Sequence, residues 1–202
     1  MRFLDNHDQP RFLEIAGERR GPGHPRIGAA LALLLLGPGI PAVYCGTEQG
    51  FDGGRDHRNR EDMFHNPEWA GDSASEGQDS FDPVHPVYRH IRRLHLLRTA
   101  QPPLQRGAIL PRWHDDASSH GVYVFSRVAA GVKVVVAVNL GDLPARLPRV
   151  ALPGGALQAG DVLEDGLSDV QPLPQRVVGE DLSLALDLPA GSAQAWVPAP
   201  PE

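Results

Sequence analysis

The chain has 202 residues, 41% of them hydrophobic, and a formal net charge of −6, enough for one large or two small domains with a real core, which excludes global disorder. With 19 Lys+Arg against 25 Asp+Glu it lacks the basic surplus that neutralises phosphate, so no nucleic-acid partner is expected. The single cysteine, Cys45, excludes an intrachain disulfide, and the longest apolar run, eight residues over 29–36, is far short of the roughly 20 that span a bilayer, so no membrane partner is expected either.

Taken in chain order, Met1-Arg2 runs into Phe3-Leu4-Asp5-Asn6, too polar for the apolar part of a signal peptide. Residues 2–5 read as a short strand that ends in the polar cluster Asp5-Asn6-His7-Asp8. Residues 25–36 form a helix candidate, with Pro25 suited to its first turn and Gly37-Pro38-Gly39 stopping it. It is apolar nearly all round, which predicts burial on most sides. Residues 40–45 read as a buried strand closed by Gly46. Strand, helix, strand is the unit of a parallel sheet covered by helices.

From residue 47 to about residue 82 no periodicity holds. A connection of this length, rich in Gly, Asp, Arg and Asn, exceeds ordinary loops and points to function. Val84, Tyr88, Ile91, Leu94 and Leu97 then recur at the spacing of an amphipathic helix, with Arg89, Arg92 and Arg93 on its other face, and Gln101-Pro102-Pro103 stops it. Beyond lie short β-rich runs at 122–125, 132–138, 182–188 and 195–197. Leu182, Leu184, Leu186 and Leu188 alternate with Ser183, Ala185 and Asp187, the period of a half-buried strand. Turn sequences separate the runs, so residues 104–202 read as an antiparallel β-sandwich domain able to fold alone.

Three motifs carry a resemblance. Phe3-Leu4-Asp5-Asn6-His7-Asp8 resembles the last conserved region of the α-amylase family, glycoside hydrolase family 13. Gly39-Ile40-Pro41-Ala42-Val43-Tyr44-Cys45-Gly46-Thr47-Glu48-Gln49-Gly50 follows at that family's spacing. Gly53-Gly54-Arg55-Asp56-His57-Arg58-Asn59-Arg60 is similar to a loop of fungal α-amylases and cyclodextrin glucanotransferases. The resemblance implies a fold of α/β plus all-β type. Residues 1–103 would be the last two βα units of a (β/α)8 TIM barrel, incomplete in itself, with strand seven at 2–5 and strand eight at 40–45. Residues 104–202 would be the C-terminal antiparallel β-sandwich. Barrel active sites lie at the C-terminal ends of the strands, where both polar clusters fall.

The resemblance also implies a retaining glycosidase or transglycosylase acting on α-1,4-glucan. One carboxylate attacks the anomeric carbon and another protonates the leaving oxygen, about 5 Å apart. By position in the motif, Asp8 is the third carboxylate, the transition-state stabiliser, with His7 beside it and Asn6 completing the substrate contacts. Asp56 and Arg60 match residues that hold a sugar further along the cleft. On residue types alone, Asp8 could instead cap a turn before Pro10, and Asp56 and Arg60 could be a solvated ion pair. His57 stands where the family commonly has proline. Cys45 reads as strand packing rather than a reactive thiol. His57, Glu61 and Asp62 lack recognised metal-ligand spacing, so no cofactor is expected in this chain. Calcium, which many relatives bind, is implied only for upstream segments of a longer enzyme.

The nucleophile and acid/base segments of the family, on strands four and five, have no counterpart in these residues. The chain alone is therefore expected to be catalytically incomplete, with a missing N-terminal barrel segment as its partner in the full protein. The apolar faces of residues 29–45 are expected to lie uncovered. The alternative is a non-catalytic module binding α-glucan or a partner chain. An in-frame upstream extension would favour the enzyme fragment, and a stable short product the module.

Overall fold

A computed structural model describes residues 1–17, 25–55, 57–65, 79–114 and 121–200 of the chain. Residues 2–5 and 40–45 do not form strands. They meet in one isolated parallel bridge, Arg2 to Pro41, closed by Arg2 N donating to Ile40 O at 2.9 Å and Ala42 N to Arg2 O at 2.8 Å. Pro41 has no N–H to extend the ladder, and a lone parallel pair is marginal, so the pairing stops at one rung. Between these segments lie a single helical turn, α1 (Phe12–Ile15), and α2 (Pro25–Leu36), whose range is the one the sequence predicts. A 3₁₀ turn, Thr47–Gln49, follows. Then come α3 (Pro86–Ala100), with the His85 ring accepting from Val87 N at its start, and the short α4 (Pro102–Arg106).

The buried stripe of α3 is Val87 and Leu94, flanked by Ile91 and Leu97. Val84 and Tyr88, placed in that stripe by spacing, are exposed. Helix α3 begins at Pro86, which leaves Val84 outside it, and Val87 joins the core cluster that α2 also enters.

Among the described residues eight strands follow: β1 (Ala108–His114), β2 (Val122–Ala129), β3 (Val132–Asn139), β4 (Ala145–Ala151), β5 (Val162–Asp165), β6 (Gln175–Val177), β7 (Ser183–Leu188) and β8 (Ala193–Pro198). They make a six-stranded sheet in the order β1-β2-β3-β8-β5-β6 and a two-stranded sheet, β4-β7, with antiparallel pairing throughout. The four predicted β-runs fall in β2, β3, β7 and β8. β1, β4, β5 and β6 escape the sequence reading because Pro111, Pro148 and charged residues interrupt their alternation. Both β1 and β4 break register at a bulge beside those prolines, where a missing N–H is tolerated.

The central strands β2, β3 and β8 are buried on both faces. Phe125, Val134, Val136, Val138, Ala195 and Val197 join α2, α3 and Leu104 in one apolar cluster. Val122, Val124, Val135, Ala137 and Trp196 join Leu147, Val150, Leu184, Leu186 and Leu188 in another. Two-faced burial explains why β3 reads Val-Lys-Val-Val-Val-Ala-Val-Asn without alternation. It also corrects the expectation of an uncovered helix: Ala29, Leu31 and Leu36 are fully buried, because the chain supplies its own cover. Nearer the bridge, Phe3, Ile40 and Val43 remain exposed.

Three arginines from separate elements hold the C-terminus of α2, whose last carbonyls lack helical partners. Arg2 Nη2 donates to Leu34 O at 2.9 Å and Arg127 Nη1 to Leu36 O at 2.8 Å. Arg98 Nη1 donates to Leu35 O, and its Nη2 to Gly39 O at 3.0 Å. Burial pushes all three guanidinium pKa values down, with mutual repulsion adding to this at Arg98 and Arg127. The negative end of the helix dipole offsets part of that cost.

Candidate active site

The site is built where the segment after Arg2 meets the loop after Gly46. Asp5, 2% exposed, anchors it: Oδ1 accepts from Thr47 Oγ1 at 2.9 Å and Oδ2 from Phe12 N at 3.1 Å. Asn6 then makes an Asx turn, its Oδ1 accepting from Asp8 N at 2.8 Å, as short amides do when they imitate a backbone turn. His7 and Asp8 stand at the tip, His7 Nε2 lying 3.2 Å from Asp8 Oδ2 with side chains 64% and 68% exposed. Both are open to a ligand.

The distant loop grips this turn. Asn59, 1% exposed, donates through Nδ2 to Asn6 O at 3.3 Å and Gln9 O at 2.8 Å. Arg60 Nε donates to His7 O at 3.0 Å, and Arg60 Nη2 lies 3.8 Å from Asp8 Oδ1. Four of the five sequence-predicted site residues, Asn6, His7, Asp8 and Arg60, thus come together, although Asn6 spends its Oδ1 on the turn. Asp56 lies outside the described residues. His57 has φ 57°, a region closed to a proline ring, so the loop takes a path that proline at this place would forbid.

Beneath the surface is a network the sequence reading missed. Arg11 is fully buried, and its Nε donates to Glu61 Oε2 at 2.8 Å. Nη1 donates to Cys45 O at 2.8 Å, and the guanidinium lies 4.1 Å from the Tyr44 ring centroid and 5.3 Å from that of Phe51. Glu61 Oε1 accepts from Asp52 N at 3.1 Å and Gly53 N at 2.9 Å. Arg11 Nη2 and Asn59 Oδ1 are buried without a hydrogen-bond partner among the described residues. Burial pushes the Tyr44 hydroxyl pKa up, with Arg11 opposing.

Two glycines make the loop possible. A Cβ on Gly46, at φ +87, would meet the Phe51 ring at 2.0 Å, and one on Gly53 would meet Arg58 O at 1.7 Å. Cys45 is exposed, which corrects its reading as a packed strand residue: once residues 40–45 form no ladder, its side chain turns outward. The only signal for Arg11 in the sequence is a charged residue set against Phe12-Leu13, and for Glu61 an acid one place after the motif. Neither marks a buried pair.

Residues 1–91 match the family model described as Alpha amylase, catalytic domain. The chain is 36% identical over 140 residues to a Beta/alpha-amylase of Paenibacillus polymyxa, covering 68% of this chain and 10% of that protein. It is 34% identical over 137 residues to a Cyclomaltodextrin glucanotransferase of Geobacillus stearothermophilus, covering 68% and 16%. In three dimensions it is similar to an Anoxybacillus α-amylase, with a TM-score of 0.74 and 26% identity over 99% of this chain and 38% of that one. The chain therefore spans between a tenth and a sixth of the length of these two curated relatives.

Proposed function

Because this chain belongs, through residues 1–91, to the α-amylase family, we propose that it forms the sugar-stabilising side of the active site of an α-glucan hydrolase or transglycosylase. Asp8 is the transition-state-stabilising carboxylate and His7 its neighbouring donor. Together they meet vicinal sugar hydroxyls, and their hydrogen bonds strengthen as positive charge develops at the anomeric carbon. Arg60 and Asp56 hold the next sugar, and Asn6 shapes the turn that presents Asp8. The observation that carries this reading is the meeting of Arg60 with the His7-Asp8 turn: Arg60 Nε is 3.0 Å from His7 O across more than fifty residues of sequence.

No second and third carboxylate with the roles of nucleophile and acid/base are assigned within these 202 residues. The chain by itself is expected to bind α-glucan without cleaving it. Titration calorimetry with maltohexaose and a reducing-sugar assay on starch test both statements. Binding that Asp8→Asn weakens at least about tenfold, roughly 1.4 kcal/mol, with no sugar released, is the expected result. Absence of binding removes the proposal, and sugar release removes the claim of incompleteness.

A further inference from the structure

The exposed ion pair between the two site segments adds little to fixing their separation. Arg60 and Asp8 approach to 3.8 Å with side chains 52% and 68% exposed, and water and salt screen a pair so placed. The buried pair just behind them is of another kind: Arg11 is three residues past Asp8 and Glu61 one past Arg60, and their side chains are 0% and 3% exposed at 2.8 Å.

The pair also bonds backbone that shapes the site. Glu61 Oε1 holds the N–H groups of Asp52 and Gly53. Arg11 Nη1 holds Cys45 O, and Arg11 N donates to Gly53 O at 2.9 Å. The guanidinium plane is set by the rings of Tyr44 and Phe51, and lysine, a point charge on a flexible stem, reproduces neither the fork nor the stacking. A charge pair of this depth carries a large desolvation cost, so it is a poor device for stability alone.

We infer that Arg11 and Glu61 are the positioning pair of the site. They set the register between the Asn6-His7-Asp8 turn and the Asn59-Arg60 loop without themselves touching the ligand, whose identity as α-glucan rests on the proposed function. Asn59 reports on that register, because among the described residues its Nδ2 bonds to Asn6 O and Gln9 O, atoms of neither Arg11 nor Glu61.

The test is hydrogen exchange by nuclear magnetic resonance on the whole chain, comparing wild type with Arg11→Lys, Glu61→Gln and the milder Glu61→Asp. Three signals are followed: the Asn59 side-chain amide, the Asp8 backbone amide, and the amides of β3 as a measure of global opening. Expected is at least tenfold faster exchange at Asn59 and Asp8 with β3 unchanged, together with tenfold weaker binding of maltohexaose well below each variant's melting temperature. A fall in melting temperature with Asn59 and Asp8 moving only in step with β3 overturns the inference and leaves the pair a stabiliser. Glu61→Asp keeps the charge and shifts it by one methylene, so it decides the matter if the other two variants fail to fold. Selective loss of protection in a chain that binds no maltohexaose even as wild type supports the positioning role and overturns the glucan reading instead.

Discussion

At the scale of single residues, backbone room decides as much as chemistry. The Gly53-Gly54 pair belongs to the motif that carries the family resemblance, yet the two positions differ. A methyl on Gly53 runs into Arg58 O at 1.7 Å, whereas one on Gly54 meets only the flexible Glu14 carboxylate at 3.6 Å. Gly53→Ala should therefore destabilise by about 1–3 kcal/mol, as overpacking does, and Gly54→Ala by much less. Urea unfolding of the two variants checks this: the midpoint should fall for the first alone, with the slope unchanged. Polar residues at this scale are legible in the sequence when they are exposed and grouped, as His7 and Asp8 are. Asp5, Arg11 and Glu61 are not, because burial and pairing are tertiary facts that no local spacing records.

At the scale of elements, the contact between α2 and α3 includes His90, whose Nε2 lies 3.0 Å from Gly28 O. Burial pushes its pKa below the ordinary histidine value, with the Arg93 charge adding to this and the Gly28 bond opposing. The folded chain thus binds this proton less well than the unfolded chain. Stability from the neutral ring is fully present above the unfolded pKa of about 6.5 and is lost as pH falls below it. The melting temperature measured from about pH 8 to about pH 5 should drop more steeply for wild type than for His90→Gln, which can still donate to Gly28 O but does not titrate. Equal slopes would remove His90 as the source. Helices were the most legible elements: α2 is bounded by Pro25 and the Gly37-Pro38-Gly39 stop, punctuation that acts locally. The edge strands β1 and β6 and the bulged β4 were illegible because Pro111, Pro148 and charged residues interrupt the apolar alternation that marks a strand.

At the scale of the whole molecule, the helices and the six-stranded sheet share one core. Phe125, Val134, Val136 and Val138, each fully buried, face α2, α3 and α4. At about 1.5–3 kcal/mol for each side chain, uncovering them costs on the order of 10 kcal/mol, as much as the whole stability of a typical domain, roughly 5–15 kcal/mol. Arg127, 1% exposed, would also lose Leu36 O. A chain cut to residues 108–202 should accordingly aggregate or self-associate rather than fold as the free-standing sandwich that its β-rich sequence suggests. Size-exclusion chromatography with circular dichroism decides, and a folded monomer would contradict it.

What the sequence determined by itself is what local chemistry and ordered motifs can specify: the long helices, half of the described strands, the family, and the polar cluster that holds His7 and Asp8. Their signals are periodicity, breakers and the order of residue types along the chain. Tertiary structure alone decided that the would-be parallel strands shrink to one bridge, that the central strands of the sheet are covered on both faces, and that a buried Arg11–Glu61 pair stands behind the site. Each depends on which surfaces meet across tens of residues, and neither composition nor spacing carries the energy of such a meeting.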